Sequence, residues 1–178
     1  MKVAFIGQIN SLDKEQVKSV FEIVKARIEK LITEDGADEF IFGSSSTFSD
    51  LCYIAVTELK EKYPDIQRYY ISMFSKLGKK YKKQLSESFE RCQYPATNRE
   101  MGRLPHIKVD QLIIDACDLI VTYYDKDEVQ YYKYYEETQI TLYNNNTPPM
   151  SKTKIALNYA FKNDKEFINL FSGENLNA

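Results

Sequence analysis

The stretch Glu39-Phe40-Ile41-Phe42-Gly43-Ser44-Ser45-Ser46-Thr47-Phe48-Ser49-Asp50 decides the fold of this 178-residue chain. Aromatic and β-branched residues at 40–42 predict a buried strand, and Gly43 lets the backbone turn where a Cβ would obstruct it. Apolar residues then recur at helical spacing from position 51 onwards, and Thr47 and Asp50 are spaced like a capping box. The stretch therefore predicts a strand, a tight turn and a helix N-terminus.

Such a turn is a candidate anion site, because the first N–H groups of a helix lack partners within the helix. Ser44, Ser45 and Thr47 add hydroxyl groups that can hydrogen-bond a phosphate. The alternative is plain capping, since any strand-to-helix turn favours small polar residues. No strict glycine fingerprint decides between these two interpretations.

The composition is typical of a soluble globular protein, with 43% apolar and 28% charged residues. The net charge of −2 supplies no basic field, so we expect neither nucleic acid nor a membrane surface as a partner. Three cysteines without metal-ligand spacing and a single histidine predict reduced thiols, a cytoplasmic location, no metal site and no cofactor. At this length we expect a single domain over residues 1–178.

Short apolar runs alternate with helical patterns along most of the chain. Strands are predicted near residues 2–6, 39–42, 68–73, 118–123 and 166–170. An amphipathic helix follows Asp13, whose spacing from Gln16 is that of a capping box, and Ser151 is placed to cap the last helix. Strands alternating with helices imply right-handed crossovers. The expected fold class is therefore α/β, a three-layer sandwich around a mainly parallel sheet of about five strands.

Two segments break this alternation. Five lysines between Lys76 and Lys83 predict a solvent-exposed helix to about Glu90, followed by a loop, with a phosphate contact as the alternative role of the lysines. Residues 125–150 form an insertion without glycine, in which five of the residues between 131 and 143 are tyrosines. The tyrosines can stack on a nucleobase or pack in a subunit interface. We expect the interface, and hence a homo-oligomer.

Ligands of open parallel sheets bind at the carboxyl ends of the strands, near the point where the strand order switches. In this chain the rule selects residues that follow the first, second and fourth strands and residues that open the last helix. The candidate ligand-binding residues are Gly7, Gln8, Asn10, Gly43, Ser44, Ser45, Ser46, Thr47, Asp50, Tyr124, Ser151, Lys152 and Thr153. Lys152 opposes the helix dipole, so it either lies near an anion or, as we expect, is solvent-exposed.

Several fragments, in a characteristic order, resemble a known family. They are the strand ending in Gly7-Gln8-Ile9, the turn from Gly43 to Ser49 with Phe48, the runs 59–66 and 115–121, and the closing segments 156–160 and 168–170. Together they span about residues 1–124 and 151–171 and resemble the SLOG superfamily of nucleotide-binding proteins, close to its small YpsA-like bacterial members. The resemblance implies a Rossmann-like domain that binds a nucleotide-derived small molecule.

The chain departs from the family pattern at positions that bear on function. Gln8-Ile9 stand in place of a His-Arg pair, Val109-Asp110 in place of Arg-Asn, and the acid after Phe48 comes one residue late, as Asp50. The Gly-Gly-Thr loop of the related phosphoribohydrolases is absent. These departures favour a non-catalytic protein that binds a nucleotide or a nucleotide-derived signalling molecule.

Two alternatives stay open at this point. A divergent hydrolase or transferase acting on a nucleotide N-glycosidic bond needs a positioned carboxylate, and Asp50, Asp125 and Glu128 are the candidates. A protein-interaction module with a vestigial pocket would instead use the tyrosine-rich insertion. The sequence contains no recognisable catalytic triad, so it assigns no catalytic residue.

Overall fold

A computed structural model of the chain describes residues 1–9, 13–43, 46–102, 104–125 and 151–171. These residues contain six strands: β1 Lys2–Phe5, β2 Glu39–Phe42, β3 Gln67–Ile71, β4 Arg91–Gln93, β5 Leu119–Thr122 and β6 Glu166–Asn169. The strands form one sheet in the order β4-β3-β2-β1-β5-β6, and every neighbouring pair is parallel.

Five α-helices lie in the described part of the chain: α1 Lys14–Thr33, α2 Thr47–Lys62, α3 Lys79–Ser88, α4 Pro105–Ala116 and α5 Lys152–Lys162. Side chains alternate between the two faces of a strand. Val3 and Phe5 of β1 therefore join the core beneath α1 and α2, whereas Ala4 joins the core beneath α4 and α5. The expected α/β class and the Rossmann-like three-layer arrangement are confirmed.

β1 occupies the centre of the sheet, where Ala4 lies opposite Ile41 of β2 on one side and Ile120 of β5 on the other. The strand order switches direction here, so the carboxyl ends of β1 and β5 flank the position at which such sheets bind ligands. The helices that follow β1, β2 and β3 also begin at this edge. Most of the predicted site residues therefore lie along one edge of the sheet.

The helix caps confirm two predictions and correct a third. Asp13 forms the expected capping box with Gln16, and Ser151 accepts a hydrogen bond from the Lys154 N–H at 3.1 Å. The cap of α2 is Ser46, not Thr47: Ser46 has extended backbone angles and its Oγ accepts the Ser49 N–H at 3.1 Å. Thr47 is already helical, so the expected Thr47–Asp50 capping box is wrong.

The sheet has one strand more than the five expected. β4 is only three residues long, it is half-buried or exposed throughout, and the sequence around it is typical of a loop. It pairs in parallel with β3 at the edge of the sheet, where Cys92 lies opposite Tyr70. α4 begins at Pro105, because proline suits the first turn of a helix. The lysines of α3 are exposed and only Leu85 is buried, which confirms the solvated face.

None of the described helices is long and apolar enough to cross a membrane. Among the earlier predictions, Asn10, Ser44, Ser45 and residues 126–150 of the insertion lie outside the described residues. Their assigned roles stay predictions.

Candidate functional site

At the switch point, the carboxyl ends of β1 and β5 are packed closely together. A Cβ on Gly7 would lie 2.7 Å from the Phe48 ring and 2.8 Å from the backbone nitrogen of Tyr123. The Gln8 N–H donates to the Tyr123 carbonyl oxygen at 3.3 Å, and the Phe48 and Tyr123 rings are 6.0 Å apart. Gly7 is therefore required for close approach of the two strands, and aromatic rings fill the space beside it.

Gly43 is required for space rather than for unusual backbone angles. A Cβ at this position would lie 2.3 Å from the Ile71 carbonyl oxygen and 3.1 Å from Cδ1 of Ile113. Real side chains do not approach a backbone oxygen so closely, so any other residue would push β2 and β3 apart. Gly43 fixes the turn against β3 and leaves the neighbouring space open.

A cavity of about 250 Å³ opens beside Gly43, between the first turn of α2, the end of β3 and α3. We call it the aromatic cavity because five of the ten described residues that line it have aromatic side chains. The residues that line it are Phe42, Gly43, Ser49, Asp50, Tyr53, Tyr70, Tyr81, Leu85, Ser88 and Phe89. Among the described residues of the predicted site, Gly43 and Asp50 are thus brought together in one cavity.

The aromatic rings of the cavity contact one another around Phe89. The Phe89 ring centroid lies 5.0 Å from that of Tyr70, 5.1 Å from that of Tyr53 and 5.8 Å from that of Phe42. These separations and tilted orientations are favourable for aromatic pairs. The Tyr53 hydroxyl donates to the Ser88 carbonyl oxygen at 3.3 Å, which ties α2 to the end of α3. The cavity wall is therefore preformed.

Asp50 is the only charged residue among those that line the cavity in the described part of the chain. Its backbone N–H donates to the Ser46 carbonyl oxygen at 3.0 Å, as expected in the first turn of α2. Asp50 is an exposed residue, and partial burial of its carboxyl raises the pKa of that carboxyl. A carboxylate in this position accepts hydrogen bonds and disfavours a second negative charge.

An ion pair behind Phe89 holds the cavity wall in place. Arg68 Nη2 lies 2.8 Å from Glu90 Oε1, Arg68 Nε lies 3.2 Å from Oε2, and Arg68 Nη1 donates to Thr57 Oγ1 at 3.0 Å. Burial alone would raise the pKa of Glu90, but hydrogen bonds from Arg68 outweigh burial and lower this pKa to about 2. The pair joins β3 and α2 to the residue that follows Phe89.

The predicted residues at the start of α5 lie on the opposite face of the sheet. Ser151 and Thr153 are buried, and Lys152 Nζ lies 3.3 Å from Asp110 Oδ2 of α4. The side chains of Lys152 and Asp110 are 16% and 3% exposed, so the expectation that Lys152 is solvent-exposed is wrong. Burial lowers the pKa of the nearby His106, and the charge of Lys152 adds to this effect. The anion beside Lys152 is Asp110 of the same chain.

Tyr124 also has a structural partner. Its backbone N–H donates to Asn169 Oδ1 at 3.0 Å, and its carbonyl oxygen accepts from Asn169 Nδ2 at 2.8 Å. Asn169 therefore fastens the ends of β5 and β6 together. The described members of the predicted site do not form one cluster, because they divide among the aromatic cavity, the switch point and the start of α5.

The main residues that sequence reasoning missed are the aromatic side chains of the cavity. Tyr53 follows Asp50 by three positions and so lies on the same side of α2, and Tyr81 and Leu85 share one side of α3. These spacings were available in the sequence. The pairing of Tyr70 with a strand at residues 91–93 was needed to bring them together, and that strand was not predicted.

Two comparisons with known proteins bear on this geometry. A family model named YpsA, described as the YspA SLOG family, matches residues 8–158. The match covers most of the chain, including β2, the turn at Gly43 and the whole of α2 and α3. No curated protein matches the chain at a significant level.

Proposed function

The chain belongs to the YpsA family of SLOG proteins, and on this premise we propose that it binds a nucleotide or a nucleotide-derived signalling molecule without transforming it. Membership of the family indicates a nucleotide-related role. The ligand would lie at the carboxyl ends of the strands, on the face covered by α1 and α2. The observation that carries the proposal is the aromatic cavity at the first turn of α2.

Two features of this position suit a nucleotide. The preformed aromatic wall offers stacking surfaces, and stacking tolerates many ring systems. The first turn of α2 supplies helix N–H groups and the positive end of a helix dipole, which favour a phosphate. Thr47, in the first helical position of α2, is exposed. A ligand with its base in the cavity can thus reach an anion-binding turn with its phosphate.

The experiment is titration calorimetry of the full chain with adenine and guanine nucleoside monophosphates, combined with native mass spectrometry of the purified protein. At least one nucleotide should bind, and Thr47→Glu should weaken its affinity roughly threefold to tenfold by placing a like charge near the phosphate. Glutamate is favourable in the first turn of a helix, so α2 should stay folded. Thr47→Gln is the matched neutral control and should bind like the parent protein.

A preparation that carries no nucleotide mass and binds none of the monophosphates would contradict the proposal. Equal affinities for the Thr47→Glu and Thr47→Gln variants would instead show that the phosphate does not bind at this turn. The two results are distinct, because the first concerns binding at all and the second concerns only where the phosphate lies.

A second function, hydrolysis of a nucleotide N-glycosidic bond, is favoured by one specific observation. Asp50 lines the aromatic cavity and partial burial raises the pKa of its carboxyl, and a raised carboxyl pKa in a cavity is a feature of catalytic acids. Chromatography of a nucleoside monophosphate incubated with the protein distinguishes the two functions. Release of free base that Asp50→Asn abolishes would establish the hydrolase, whereas an unchanged nucleotide supports binding alone.

A further inference from the structure

We infer that the aromatic cavity is a base subsite that prefers guanine, whose N1–H and 2-amino group donate hydrogen bonds to the Asp50 carboxylate. The inference rests on the proposed function and adds the class of nucleotide that the site selects. It follows from the size of the cavity, from the charges on its wall and from the hydrogen-bonding groups that its own residues leave open.

The size of the cavity selects part of a nucleotide. Its volume is about 250 Å³, below the roughly 300–1,000 Å³ of cavities that enclose a drug-sized ligand. A purine ring fits into such a space, and the sugar and phosphate would then lie outside, toward the α2 N-terminus. The cavity is therefore suited to reading the base.

The charge on the described wall indicates which part of a nucleotide can enter the cavity. No lysine or arginine is among the described residues that line the cavity, and Asp50 contributes a negative charge. A phosphate placed inside would meet a like charge without a counter-ion, which is unfavourable at short range. A ring with N–H groups on its edge would meet a strong acceptor.

The tyrosine hydroxyl groups of the described wall contact other groups of the chain. Tyr53 donates to the Ser88 carbonyl oxygen. Burial raises the pKa of Tyr70, and a hydrogen bond with Tyr81 adds to the shift. The Asp50 carboxylate, in contrast, makes no ion pair with the described residues. It is thus the charged acceptor that the cavity offers to a ligand.

The common bases differ in what they present to such a carboxylate. Guanine has two adjacent donors, N1–H and the 2-amino group, at a spacing that matches the two carboxylate oxygens. Adenine has an amino group beside the unprotonated N1, whose lone pair would face a carboxylate oxygen. Because Asp50 is exposed, the discrimination comes from the charge-assisted hydrogen bonds that guanine gains and adenine does not. Guanine is therefore the base that fits, and its large ring also suits the aromatic wall.

The test is titration calorimetry of the full chain with guanosine, inosine and adenosine. Inosine lacks only the 2-amino group, so it should bind roughly tenfold more weakly than guanosine, which corresponds to one charge-assisted hydrogen bond. Adenosine should bind more weakly still. Asp50→Asn should weaken guanosine at least tenfold and remove the difference between guanosine and inosine. Glu61→Gln, an equivalent change at the far end of α2, should leave all three affinities unchanged.

The results separate this inference from the proposed function. Adenosine binding as tightly as guanosine, or an Asp50→Asn variant that keeps the preference for guanosine over inosine, would overturn the inference while nucleotide binding stands. Failure of all three nucleosides and of their monophosphates to bind would overturn both. If Asp50→Asn does not fold, the comparison of guanosine with inosine on the parent protein decides the matter alone.

Discussion

The aromatic cavity and the Asp110–Lys152 pair lie at the same edge of the sheet, on opposite faces. They differ in whether the carboxylate forms an ion pair with a described residue. On one face Asp50 lines an open cavity and makes no ion pair with the described residues. On the other face Asp110 and Lys152 lie 3.3 Å apart and are largely buried. A charge satisfied within the chain holds α4 and α5 together, whereas a charge beside an open cavity is available to a ligand. The comparison therefore indicates that Asp110–Lys152 is a structural ion pair and that the aromatic cavity is the candidate ligand site.

The largest loss of stability is expected from a substitution that disturbs the packing of β2 against both β3 and α4. Gly43→Ala would place a Cβ 2.3 Å from the Ile71 carbonyl oxygen of β3 and 3.1 Å from Cδ1 of Ile113 in α4. Because backbone must shift, we expect a loss of about 3 kcal/mol in the free energy of unfolding, measured by urea denaturation. Gly78→Ala is the control, since a Cβ there meets nothing within 4 Å. Gly78 is the N-cap residue of α3, so this change should cost no more than about 1 kcal/mol. Equal effects of the two substitutions would refute the role of Gly43 in close packing.

An intermediate loss of stability, confined to the α4–α5 face, is expected when the Asp110–Lys152 ion pair is broken. Lys152→Met removes the ammonium group that lies 3.3 Å from the buried Asp110 carboxylate, so the protein should lose about 2–3 kcal/mol of stability. Nucleotide affinity should stay within twofold of the parent value, because the pair is on the opposite face from the cavity. The double variant Asp110→Leu with Lys152→Met should recover most of the lost stability. Loss of nucleotide binding in the stable double variant would show that the ligand uses the α4–α5 face.

A smaller effect, dependent on pH, is expected for Glu90. The folded-state pKa of Glu90 is lowered from its ordinary value of 4.5 to about 2, so its pair with Arg68 stabilises the protein above pH 4.5. That contribution is lost as the pH falls from 4.5 toward 2. Glu90→Gln should therefore cost about 1–2 kcal/mol at pH 6 and only about a quarter of that at pH 2.5. Urea denaturation at the two pH values measures this difference. A cost that does not change with pH would mean that the ionised pair is not what Glu90 contributes.

The fold could be predicted from the sequence but the cavity could not, and the reason is physical. The strands and most helix starts follow from local patterns, as the Asp13 capping box and the apolar run at 119–121 show. The cavity depends on side chains from α2, β3 and α3 that meet only when the chain folds. Lys152 illustrates the limit most clearly, because its spacing predicted an exposed or ligand-bound lysine. Only the packing of α5 on α4 reveals Asp110 as its partner.

The most direct test of the central claim is nuclear magnetic resonance of the isotope-labelled full chain during titration with guanosine monophosphate. The backbone amide signals of Gly43, Asp50, Tyr53 and Phe89 should shift most, and those of Asp110 and Thr153 should stay in place. Such a pattern would locate the ligand in the aromatic cavity. Large shifts on the α4–α5 face with none around Asp50 would contradict the claim.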